Sequence, residues 1–213
     1  MLCFGQKSLF TLRTSLAGLT AACVGLLAAT VLVRQEGEYG AALAERAKRK
    51  AQAATAAPPS IAYGSDKLPT PVAEMREAIL TAVRDGRIEE LRVAIELNEI
   101  KPDFGAAASG DPIAYLKAVS GDGEGREILA ILGELLEGGY TVIPMGKDIE
   151  NNKLYVWPYF AEVPLKDLTP AQDVELLRLV SPAAAKDMKD KGRYTHWRMT
   201  VGADGTWHSF VRW

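Results

Sequence analysis

Beyond Cys23 the chain contains no cysteine, and the only other one is Cys3. A domain built from the remaining residues has no disulfide, no thiolate metal site and no cysteine nucleophile. Histidine is scarce as well, with two in 213 residues, His196 and His208. A Gly-x-Ser-x-Gly elbow, a His-Glu-x-x-His zinc motif and a dinucleotide-binding fingerprint are all missing. No cofactor and no metal is therefore expected. A positive surplus is lacking too. From Pro58 onward there are 18 Lys+Arg against 24 Asp+Glu, a net of −6. The phosphate backbone attracts basic surfaces, so this balance argues against nucleic acid as a partner. There is no internal repeat.

Long apolar runs are lacking with one exception. Lys7 and Arg13 precede an uncharged, mainly apolar stretch at residues 14–33. Twenty residues at about 1.5 Å each give roughly 30 Å, enough to cross a bilayer. A cleaved signal peptide would have a shorter apolar part with a small-residue cleavage site close behind it. The nearest Ala-x-Ala is Ala42-Leu43-Ala44, beyond Arg34, Glu36 and Glu38. That distance favours an uncleaved anchor over residues 1–34. Orientation is contested. Arg34, Arg46, Lys48, Arg49 and Lys50 outnumber Lys7 and Arg13, and the positive-inside rule taken literally keeps the domain in the cytoplasm. A basic-then-apolar start on an otherwise soluble chain more often means export. Residues 35–60, rich in alanine, basic and ending in Pro-Pro, read as a tether that is helical at most in part. Its basic cluster is either a solvated linker or a contact for anionic lipid heads.

The folded part, residues 61–213, reads as one α+β domain. Pro71 suits a helix start, and Val72, Met75, Ile79 and Val83 recur at helical spacing until Asp85-Gly86. Ile88, Leu91 and Ile95 form a second stripe, stopped by Pro102. Asp111-Pro112 starts a short helix. Ser120-Gly-Asp-Gly-Glu-Gly125 resembles a calcium or phosphate loop but lacks the ligand spacing of one and the Lys-Ser/Thr of the other. It reads as a turn capping the helix that carries Ile128, Leu129, Leu132, Leu135 and Leu136 and ends at Gly138-Gly139. Residues 140–145 and 153–160 are strand-like and pair as a hairpin, with Pro158 at a strand end. Thr169-Pro170-Ala171-Gln172 is a capping box, with Val174, Leu177 and Val180 following. Ser181-Pro182 opens a last helix that ends at Gly192.

Residues 194–201 and 206–213 flank Gly202-Ala203-Asp204-Gly205 and predict a closing hairpin, with Gly205 in the left-handed position of a three-residue loop. Gly202 then pairs with Thr206. Val201 faces Trp207, Met199 faces Ser209, Trp197 faces Val211 and Thr195 faces Trp213. The other face pairs Thr200 with His208, Arg198 with Phe210 and His196 with Arg212. This register sorts an apolar face towards a core and a polar face towards water or a ligand. In all, the sequence predicts helices packed on a small antiparallel sheet of about four strands.

Few residues stand out for chemistry. His196 and His208 are about 13 Å apart in this register, too far to share a metal. They are either ordinary half-exposed histidines or, for His208 near Thr200, Arg198 and Asp204, part of a site. Tyr155, Trp157 and Tyr159 alternate and share a strand face. They are either buried between layers or a platform for sugar rings or a peptide. Glu134 and Glu137 lie one helical turn apart, as many solvated acidic pairs do.

The run Tyr155-Val-Trp-Pro-Tyr-Phe-Ala-Glu-Val-Pro-Leu165, with Leu168-Thr169-Pro170, Asp204-Gly205-Thr206-Trp207-His208 and Asp111-Pro112-Ile113-Ala114-Tyr115, resembles a group of uncharacterised exported proteins of alphaproteobacteria. That resemblance implies export and carries no activity. Helices first and a curved sheet last is also similar in topology to the nuclear transport factor-like fold, which alone gives no function. Two readings follow. One is a non-catalytic module at the inner membrane, its domain in the periplasm, binding a cell-envelope ligand or protein through Tyr155, Trp157, Tyr159, Arg198 and His208. The other is a small hydrolase or isomerase with His208 and a carboxylate in a pocket. Export predicts that a reporter active only outside the cytoplasm, fused after Trp213, is active. An inactive reporter in an expressed fusion would put the domain in the cytoplasm.

Overall fold

The computed structural model describes residues 59–105, 110–145 and 152–213. The expected membrane segment at 14–33 and the tether lie outside these residues, as does most of the turn between the two middle strands. Among the described residues no helix is long and apolar enough to cross a membrane.

Among the described residues the architecture is α+β, with six helices and a five-stranded antiparallel sheet. Strand β1 is Ile61–Ala62, β2 Tyr140–Pro144, β3 Lys153–Trp157, β4 Trp197–Gly202 and β5 Trp207–Arg212. Each strand pairs with the next, in the order β1-β2-β3-β4-β5. The expectation of about four strands missed β1. Two residues are too short to show alternation, and pairing of Ile61 with Thr141 fixes them instead. The Thr141 hydroxyl adds a bond to the Ser60 carbonyl at 3.0 Å.

Helices α1 (Thr70–Asp85), α2 (Leu91–Glu96), α3 (Pro112–Val119) and α4 (Arg126–Glu137) fall between β1 and β2. The expected punctuation is in place. Gly86 is left-handed at the end of α1. The Asp111 side chain accepts from the Ile113 amide at the start of α3. The 120–125 turn does cap α4. The Asp122 carboxylate accepts from the amides of Glu124, Gly125 and Arg126, at 3.3, 3.1 and 3.2 Å. These donors and the Ser120 hydroxyl, the largest influence, hold the Asp122 carboxyl down at about 2.

These helices cover one face of the sheet. Val72, Met75, Ile79, Ile88, Leu91, Leu132 and Leu136 meet Tyr140, Tyr155, Trp157, Met199, Trp207 and Phe210 in the main core. Between β3 and β4 the chain forms α5 (Pro170–Leu179) and α6 (Pro182–Lys191). The capping box forms, with Thr169 accepting from Gln172 and Gln172 reaching back. The stripe on α5 is shifted from the expected one. Leu176 is buried, whereas Val174 and Leu177 are exposed. A second, smaller core joins Tyr159, Phe160, Leu165, Leu176, Ala185, Met188 and Tyr194 beyond the end of β3.

The closing hairpin has the expected turn and a different register. Gly205 has φ +87° and the Val201–Trp207 pair forms. Beyond it a β-bulge intervenes, and Thr200 pairs with Ser209, Met199 with Phe210, Arg198 with Val211 and Trp197 with Arg212. His208 is the extra residue. The bulge lets Trp207 and Phe210 both enter the core, which strict alternation forbids for residues three apart. The edge of β5 explains it. The Asp103 amide donates to the His208 carbonyl, and the Phe210 amide to the Asp103 carbonyl, each at 2.9 Å. The Asn98 side chain accepts from the Trp207 amide at 2.7 Å. The opposite face is not simply open to water, since Thr200 is buried and its hydroxyl lies 2.7 Å from that of Ser209.

The bulge predicts unequal costs for neighbouring substitutions. Phe210→Ala should cost about 3–5 kcal/mol in denaturant unfolding, and Ser209→Ala about 1 kcal/mol. The reverse order would restore the unbulged register.

Candidate functional site

The residues singled out in the sequence are not brought together. Tyr155 and Trp157 are buried in the main core beside Tyr140, whose ring centroid is 5.0 Å from that of Trp157. Tyr159 is not on the strand at all. Strand β3 ends at Trp157, the Trp157–Pro158 peptide is cis, and Tyr159 lies in the 3-10 turn that follows, fully buried. An exposed aromatic platform is therefore replaced by three buried rings in two cores. The reason is that helices cover this face and Pro158 ends the strand. Arg198 pairs with Glu162 at 2.5 Å, and its guanidinium lies 5.1 Å from the Trp213 ring centre.

His208 lines an open cleft of about 490 Å³ with Leu97, Ile100, Lys101, Asp204 and Thr206. A β-carbon at Gly202 would stand 2.8 Å from the His208 ring and 2.6 Å from the Asp204 carboxylate. The Thr206 amide first, and His208 to a lesser degree, hold the Asp204 carboxyl below its usual range. Among the described residues no carboxylate reaches hydrogen-bond or ion-pair distance of the His208 ring. The arrangement expected of an acid–base pair in a closed pocket is thus not formed there.

A different place collects polar groups. Where α4 ends at Gly138-Gly139, the chain enters β2 beneath α5. The cleft there, about 110 Å³, is lined by Tyr63, Glu134, Glu137, Phe160, Glu175 and Arg178, with Gly138, Gly139, Pro158 and Leu179 completing it. The Tyr63 hydroxyl donates to the Glu175 carboxylate, 3.0 and 3.1 Å from its two oxygens. Arg178 pairs with Glu134 at 2.9 Å. Three carboxylates against one guanidinium leave the lining with a net charge of −2. The carbonyl end of α4 adds negative potential, although the Arg76 side chain takes up the Leu136 carbonyl at 3.0 Å.

Beneath this cleft lies the Tyr159 hydroxyl. It is buried, and its polar neighbours are the Glu175 carboxylate and the Tyr63 hydroxyl, although neither contact has full hydrogen-bond geometry. Burial first, and then the neighbouring Glu175 carboxylate, push its ionisation far up, and the same two causes raise Tyr63. Both hydroxyls therefore stay protonated at any ordinary pH. Gly139 makes the convergence sterically feasible. A β-carbon there would stand 2.7 Å from the Tyr159 ring and 2.8 Å from the Tyr63 ring. The Tyr159 amide also donates to the Gly139 carbonyl at 3.0 Å.

Of the two readings the sequence allowed for Tyr159, burial holds and the ligand platform does not, while Glu134 and Glu137 were set aside. Sequence reasoning missed Tyr63, Glu175 and Arg178 entirely. The one available signal was the doubled glycine, of which only the first is needed to end the helix. Comparison with family models, curated proteins and solved structures gives no match.

The geometry separates the role of the Tyr159 ring from that of its hydroxyl. Gly139→Ala should destabilise the protein by about 1–3 kcal/mol, because both rings must shift. Tyr159→Phe should change stability by less than about 1 kcal/mol, because the hydroxyl's contacts with Glu175 and Tyr63 are poorly aligned. Equal large losses in urea unfolding would make the hydroxyl a structural group.

Proposed function

We propose that this chain is a non-catalytic binding module of the cell envelope, anchored in the inner membrane by residues 14–33 with its folded domain in the periplasm. Its ligand presents a cationic group, which sits against the Glu175 carboxylate and the Tyr63 ring above Tyr159. The observation that carries this reading is the lining of net charge −2, in which the Glu175 carboxylate faces the Tyr63 hydroxyl with the buried Tyr159 hydroxyl beneath. A tyrosine hydroxyl has acceptor capacity, and a carboxylate offers about four acceptor positions. Glu175 uses only part of its capacity on Tyr63. A guanidinium or ammonium would supply the missing donors. The Tyr63 ring, half exposed at the rim, can lie against it as aromatic faces do against cations.

Size and charge narrow the ligand. At about 110 Å³ the cleft is smaller than the ~300 Å³ lower end of drug-sized sites. It suits one side chain or a small amine rather than a sugar or a nucleotide. Its net negative lining disfavours anions. The apolar walls, Phe160, Pro158 and Leu179, suit the methylene stem of a basic side chain.

Binding by the full-length protein in detergent micelles tests this. Nα-acetylarginine methylamide should bind with a dissociation constant on the order of 1 mM. The uncharged citrulline analogue should not bind measurably. Glu175→Gln should weaken the arginine ligand roughly tenfold, and added salt should weaken it further. Equal binding of the arginine and citrulline ligands, or an unchanged affinity in Glu175→Gln, would sink the proposal.

A further inference from the structure

A second depression adjoins the cleft and shares Glu134, Arg178 and Leu179 with it. Its volume is about 200 Å³, and Ala130, Ile131, Leu135 and Tyr194 give it mainly apolar walls. Glu127 and His196 also line it. Burial, followed by the nearby Arg212, lowers the His196 ionisation, with Glu127 opposing. The neutral form of His196 is therefore favoured, which suits an apolar lining. The Glu134–Arg178 ion pair forms the saddle between the two depressions.

Their spacing can be read along α4. Ile131 marks the apolar depression and Glu137 the acidic cleft. Six residues at about 1.5 Å separate them by roughly 9 Å. A polyproline II segment rises about 3.1 Å per residue with three residues per turn, which puts side chains three apart on one edge at about 9 Å. A free amine would fill one depression and leave the other empty.

We propose that the two depressions together bind an extended peptide of a partner protein, with a basic side chain in the acidic cleft and an apolar side chain three residues away in the depression beside Ala130. This rests on the cationic-ligand reading above and adds to it the partner's class and the spacing of its contacts. The acidic end gives charge complementarity. The apolar end removes a leucine-sized side chain from water. The saddle residues, both partly exposed, face the peptide backbone between the two anchors. The peptide's direction follows from which order of anchors binds.

The test uses the full-length protein in micelles and dye-labelled tetrapeptides read by fluorescence anisotropy. The probes are acetylated, amidated Arg-Ala-Ala-Leu and Leu-Ala-Ala-Arg, each with a control in which serine replaces leucine. One order should bind roughly tenfold tighter than its serine control, as expected for burying an apolar side chain. Ala130 is exposed and lines the apolar depression, so Ala130→Leu fills it from the surface. That variant should abolish the gain and leave Nα-acetylarginine methylamide binding unchanged. Glu175→Gln should weaken every probe. If neither order exceeds its serine control, or the gain survives in Ala130→Leu, the peptide reading is overturned while the cationic-ligand reading stands. If no probe binds, including the acetylarginine ligand, both readings fall.

Discussion

The Tyr159 amide donates to the Gly139 carbonyl at 3.0 Å, and this contact fixes how the two cores meet. Strand β3 has just ended at Trp157, so its pairing with β2 stops with Thr141 and Val156. The bond from Tyr159 continues the attachment by one more residue after the chain has left the sheet. It holds the start of the smaller core against the end of α4. The Tyr159 and Tyr63 rings then pass over the bare α-carbon of Gly139, where a larger residue would leave no space. Tyr63 in turn reaches Glu175 on α5, 112 residues away in sequence. Strand β1, α4, β3 and α5 are tied together at one point, and the acidic cleft is the space left between them.

Much of the fold was legible because local rules dominate it. Pro71, Asp111-Pro112, the Thr169–Gln172 box and Ser181-Pro182 mark helix starts through backbone chemistry that needs no tertiary partner. Gly86, Gly192 and Gly205 mark ends and turns for the same reason. What could not be read depends on distant contacts. The bulge at His208 answers to Asp103 and Asn98, about a hundred residues earlier. Perfect alternation gave the neatest sorted register, yet burying both Trp207 and Phe210 outweighs it. The short β1 exists only because β2 offers an edge. On α5 the sequence could not show that Leu176 faces inward, because Leu176 and Leu177 are adjacent and equally apolar.

The candidate site was less legible than the fold for a related reason. An aromatic row with a regular period allows burial between layers or a surface platform, and Tyr155 and Trp157 take the first. Tyr63, Glu175 and Arg178 carry no pattern of their own. They meet through the second core, whose assembly requires α5 to fold back against the end of α4. Electrostatics then gives the place its character. Surface ion pairs elsewhere, such as Lys186–Asp190 and Lys191–Asp187 on α6, are balanced and exposed and contribute little. The cleft is unbalanced by two charges and has the buried Tyr159 hydroxyl beneath it. An acidic lining with unused acceptor positions points to a cationic group that binds there.

The most direct test of this account is a titration of full-length protein, carrying isotope-labelled tyrosine and histidine, with ethylguanidinium, followed by NMR. The account predicts saturable shifts of the Tyr63 and Tyr159 ring signals, with the Tyr115 and His208 signals unmoved and the response lost in Glu175→Gln. Shifts that rise linearly without saturation, or that centre on His208, would contradict it.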